Sequence, residues 1–106
     1  MEIKITKRIK LWELNCDKCH NYYYGIKGRI INDDNTKYKK FTFVVSFDIF
    51  DAMEYFEQDS VSQKELLMYV DVLTDSMLSY IKSYNDCKHF YSLCNETIDT
   101  YNKLIR

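Results

Sequence analysis

The chain of 106 residues contains no proline and only two glycines, Gly25 and Gly28. That rules out collagen-like repeats and proline- or glycine-rich linkers. Two glycines also cannot build a glycine-rich phosphate loop. No apolar run approaches the ~20 residues that a membrane-spanning helix requires. Residues 1–10 are charged throughout and lack the continuous apolar segment of a secretory leader, so a cytoplasmic location is expected. Histidine is scarce, with His20 and His89 alone, and neither falls in an HExxH or HxE arrangement. No signature of a catalytic zinc or a nucleophilic triad is legible, so a non-enzymatic chain without a small-molecule substrate is expected.

What remains is rich in rings and charge. Apolar residues make up 46% of the chain and aromatic ones 16%, which suffices for one core in a single domain spanning residues 1–106. Ten tyrosines and six phenylalanines are more than such a core needs, and some suit a partner surface. Net charge is −1, yet residues 1–45 carry ten Lys/Arg against five Asp/Glu, and residues 46–106 carry five against eleven. A split of this kind bears on partners rather than on fold.

Hydrophobic periodicity changes midway. Over residues 2–47 it is close to two. Ile3, Ile5, Ile9 and Leu11 alternate with Lys4, Thr6, Arg8 and Lys10, and Trp12 and Leu14 break the phase, as a bulge or a strand buried on both sides near its end would. Tyr22, Tyr24, Ile26 and Ile30 mark a second strand. Asp33-Asp34-Asn35-Thr36 is a turn. Phe41, Phe43, Val45 and Phe47 mark a third strand, opposite Lys40, Thr42 and Ser46. From 48 to 105 the period is helical. A short helix runs to about Gln58, and Ser62-Gln63-Lys64-Glu65 is a capping box. The second helix carries Leu66, Val70, Leu73, Met77, Ile81 and Tyr84 on one stripe, and the third carries Phe90, Cys94, Ile98, Tyr101 and Ile105. The expected fold is α+β, a three-stranded antiparallel meander followed by three helices packed on one face.

Four cysteines fall in two groups, Cys16-Asp17-Lys18-Cys19 and Cys87 with Cys94. In a reducing compartment, zinc is the expected fate of such thiols, rather than disulfides. A Cys-x-x-Cys turn between two strands can present two sulfurs to one ion, forming a zinc knuckle in the first hairpin. Cys87 would add a third ligand, with Cys94 or His89 as the fourth. A last helix that began at Cys87 would hold Cys87 and Cys94 about 10 Å apart, too far to share an ion. In that case they are ordinary buried apolar residues. Cys16-x-x-Cys19-His20 also matches the pattern for covalent haem attachment, which normally requires export. A thioredoxin-like dithiol would open a helix, whereas a strand follows here.

Two charged surfaces are candidates for partners. Asp48, Asp51, Glu54 and Glu57 recur every three residues along the first helix, and Asp71 and Asp75 form an i, i+4 pair on the second. These are either a solvated face or a surface that occupies a basic groove meant for phosphates. Lys4, Lys7, Arg8, Lys10, Lys27, Arg29, Lys37, Lys39 and Lys40 lie among Tyr22, Tyr23, Tyr24 and Tyr38, a mixture that can bind single strands. The pI of about 6.1 is low for that role.

In small size, AT-rich codon character, split charge and cysteine content, the chain resembles the small phage-encoded anti-CRISPR proteins that act on type II systems. Cys16, Cys19 and Cys87 point toward a metal-containing member. That resemblance implies a zinc-stapled inhibitor in the host bacterial cytoplasm, binding the Cas9 effector and blocking DNA access or rearrangement. The alternative is a zinc-containing nucleic-acid-binding or transcription-regulatory domain.

Overall fold

A computed structural model describes residues 1–106. Strands β1 (Glu2–Cys16), β2 (Cys19–Ile31) and β3 (Tyr38–Asp48) form an antiparallel sheet in the order β1-β2-β3, and helices α1 (Ile49–Phe56), α2 (Gln63–Leu78) and α3 (Lys88–Leu104) follow. The α+β meander with three following helices is therefore as expected. No helix is long and apolar enough to cross a membrane.

Alternation decides which sheet face the helices cover. Tyr22, Tyr24, Ile26, Ile30, Phe41, Phe43, Val45 and Phe47 point to the helical side and are buried there with Leu66, Val70, Phe90 and Cys94. Phe90 meets Phe41 and Phe43 edge-on at ring distances of 5.2 and 6.1 Å. Such contacts add to the ~1.5–3 kcal/mol that burying each ring already supplies.

β1 departs from simple alternation twice. Register shifts fall between Ile5 and Lys7 and between Lys10 and Trp12, leaving Thr6 and Leu11 as the extra residues. The second bulge lies where Trp12 breaks the pattern. The first was not legible and reverses the expected facing beyond it. Arg8 pairs with Ile26 and Lys10 with Tyr24, so both cations share the helical side, and Ile9, opposite Gly25, turns outward. Arg8 there forms a two-pronged pair with Asp71 of α2 at 2.6 and 2.8 Å.

The sheet edge at β3 is closed by α3. The Val44 N–H donates to Thr97 Oγ1 at 3.0 Å, and Tyr91 Oη donates to the Lys40 carbonyl at 2.6 Å. Polar side chains of the helix thus satisfy backbone groups that an edge strand leaves free.

The helix starts follow their caps. Ser62 and Glu65 form the expected capping box, and Asp48 with Asp51 forms a second one at α1. α2 ends at Leu78, six residues before Tyr84. The Tyr80 and Ile81 N–H groups turn back to Met77 and Leu78, a tighter winding that carries Ile81 into the core.

Candidate functional site

Sheet pairing separates the cysteines. Cys16 and Cys19 face each other across the two-residue turn Asp17-Lys18 at one end of the sheet. Cys87 donates to the Ser83 carbonyl at 2.9 Å, in the loop whose Tyr84 carbonyl receives Lys39 Nζ at 2.6 Å. Lys39 pairs with Ile30, eleven residues along β2 from Cys19, which is roughly 36 Å of strand. α3 begins at Lys88 with Cys87 as its cap residue, so Cys94 lies two turns further on, about 10 Å away. His89 packs edge-on against Tyr80 instead. No group of three or more His, Cys, Asp and Glu side chains comes together that could hold a metal ion. The expected four-ligand set of Cys16, Cys19, Cys87 and Cys94 or His89 is therefore not assembled by this fold, because Cys87 lies at the opposite end of the sheet from Cys16 and Cys19, and Cys94 lies two turns along α3 from Cys87.

Environment differs between the two pairs. Cys94 is buried beside Phe90, and burial pushes its thiol up to about 12. Cys87 is raised for the same reason. Cys16 is exposed, and hydrogen bonding from the Cys19 thiol, then from the Lys18 backbone, holds it below its usual value. Cys19 is raised by the same thiol contact.

The acidic row is partly committed to local structure. The Asp48 side chain accepts from Phe50 N and His20 N, at 2.8 and 3.2 Å. Asp51 completes the cap of α1, and Glu57 is the left-handed residue that ends it (φ 55°). Asp71 is paired with Arg8, and Asp75 lines the same cleft between β1 and α2. Glu54 remains exposed, beside Phe50 and Tyr55, which are 60% and 54% exposed.

The basic half is sorted by register into two sets. Arg8, Lys10 and Lys39 lie on the helical side, engaged by Asp71, Glu13 and the Tyr84 carbonyl. Lys37 lies in the loop before β3, and the other five converge on the outer face. Lys4, Arg29 and Lys40 stand opposite one another in one cross-strand row, and Lys7, Lys27 and Thr42 in the next. Neighbouring strands are ~4.8 Å apart and same-face residues along a strand ~6.6 Å apart, so five cations share one small area. All five are exposed, and none has an ion-pair partner. Tyr38, half exposed, flanks the area, with Arg29 stacked over its ring at 4.8 Å. The same face continues as an apolar strip. Trp12 stacks on Tyr23 at 5.6 Å, Tyr101 covers Tyr23 at 5.7 Å, and Leu11, Leu104 and Ile105 rim a shallow hollow beside them.

The lysines and arginines were visible in the sequence; their alignment was not. Facing on β1 depends on the bulge at Thr6, which puts Lys7 rather than Thr6 opposite Lys27 and turns Arg8 to the helical side. Comparison with protein-family models, curated proteins and solved structures finds no match.

Proposed function

We propose that this chain is a non-enzymatic binding domain whose outer sheet face takes single-stranded nucleic acid. The observation that carries this reading is the pair of cross-strand rows, Lys4–Arg29–Lys40 and Lys7–Lys27–Thr42. They hold five cations without ion-pair partners on the part of the outer face beyond the strip that Tyr101 of α3 covers. Like charges placed directly opposite one another destabilise a sheet by a few tenths of a kcal/mol per pair, so the arrangement opposes folding unless a polyanion meets it. Phosphates would follow the cations, while Tyr38 and Trp12 offer ring faces to bases, the two contributions that single-strand binders combine. A net charge near zero does not oppose this, because the acidic groups concentrate in residues 46–106 and the local field decides binding. Reversing two cations (Lys27→Glu, Arg29→Glu) should weaken binding of a fluorescent oligonucleotide by at least ~10-fold with the fold retained by circular dichroism. Unchanged binding would refute the reading.

A second reading rests on Phe50 and Tyr55, large exposed rings beside Glu54 and Glu57 on α1. This acidic, aromatic surface suits a basic protein groove, and on the resemblance to inhibitors of type II systems that groove would belong to the Cas9 effector. Glu54→Lys with Glu57→Lys should then relieve inhibition of DNA cleavage by that effector, whereas Lys27→Glu with Arg29→Glu should not.

A further inference from the structure

Geometry at the hairpin tip points to a use for two of the four thiols that is independent of the nucleic-acid reading. Cys16 and Cys19 are cross-strand partners. Such partners in an antiparallel pair have Cα atoms ~4.5–5.5 Å apart, inside the window of ~4.4–6.8 Å that a disulfide accepts. Neither Asp17 nor Lys18 has a positive φ. The turn is therefore not of the primed kind whose twist matches the strands, which leaves the paired strand ends less firmly held. A covalent tie would hold those ends together. Cys16 is exposed at the tip and Cys19 half-buried behind it, whereas Cys87 and Cys94 are buried.

We propose that Cys16 and Cys19 form a reversible redox pair, closed by a small-molecule disulfide and reopened by thiols. In the first step the Cys16 thiolate attacks one sulfur of the oxidant, forming a mixed disulfide and releasing one thiolate. Cys19 then loses its proton to solvent, and its sulfur attacks Cys16 Sγ, releasing the second thiolate. Two cysteine thiols are oxidised by two electrons, and the oxidant is reduced to two thiols. Closure fixes the end of β1 against β2 at the point where the sheet meets the cap of α1 through the His20–Asp48 hydrogen bond.

The test treats reduced, chelator-washed full-length protein with oxidised glutathione, followed by intact-mass analysis and peptide mapping. The expected product has lost two hydrogens, contains a Cys16–Cys19 disulfide, and keeps Cys87 and Cys94 as thiols until the protein is unfolded. With iodoacetamide, Cys16 should be alkylated ~10-fold faster than Cys94 or more, as exposure and thiolate character dictate. The Cys19→Ser variant should stop at a glutathione adduct on Cys16. A wild-type chain that keeps a stable adduct on Cys16, links to a second chain, or oxidises at Cys87 or Cys94 first would overturn the proposal. The wild-type result decides even where the variant misfolds.

Discussion

Gly28 faces the helical side among aromatic rings, and a Cβ there would come within 2.6 Å of the Lys4 carbonyl oxygen and press into the Phe41 ring. The backbone at that point cannot retreat, so Gly28→Ala should cost about 1–3 kcal/mol through overpacking, visible as a lowered urea midpoint. An unchanged midpoint would mean that β1 and Phe41 shift freely. Glu13 offers a test by pH. His20 at 2.7 Å and Lys10 at 3.2 Å draw its carboxyl down to about 2. A depressed pKa contributes stability that is present above the unfolded value, near 4.5, and lost as pH falls through about 2. Wild-type stability should therefore fall more steeply across that window than that of Glu13→Gln. The difference should be modest, since the carboxylate is partly solvated; parallel curves would remove the ion pair from the account. At this scale the sequence was an uneven guide. Phe41, Phe43 and Phe47 were legible as core because alternation leaves them one face only. The cysteines were not, because spacing along a chain does not say which end of a sheet a residue 70 positions later will reach.

Elements were the most legible level. The capping box at Ser62 and the alternation of β3 act within a few residues, so they needed no tertiary information. The bulge at Thr6 escaped because no glycine or proline marks it, and a bulge changes only pairing. The end of α2 escaped because Ile81 and Tyr84 continue its apolar stripe in sequence after the chain has left the helix. The packing of α3 along the β3 edge gives a direct prediction. Thr97→Val keeps the shape but removes the acceptor of the Val44 N–H. Stability should drop by about 1 kcal/mol, with faster hydrogen exchange at the Val44 amide and an unchanged denaturant slope. Exchange as slow as in wild type would mean that α3 does not hold that edge through Thr97.

Over the whole molecule, charge and fold are arranged together. Eleven of the sixteen acidic residues fall in residues 46–106, where caps and the Arg8–Asp71 pair engage several of them. The outer sheet face gathers cations that no carboxylate engages. The sequence showed the imbalance between halves, but only the register of three strands turned it into a surface, and the low overall pI concealed it. Binding of a single-stranded oligonucleotide as a function of salt tests this most directly. Five phosphate contacts correspond to a slope of about −3.5 in log affinity against log salt. The account predicts a slope approaching that value for the wild-type protein, reduced by about 1.4 in the Lys27→Glu, Arg29→Glu variant as two contacts are lost. Binding that is absent at low salt, or that shows no dependence on salt, would contradict it.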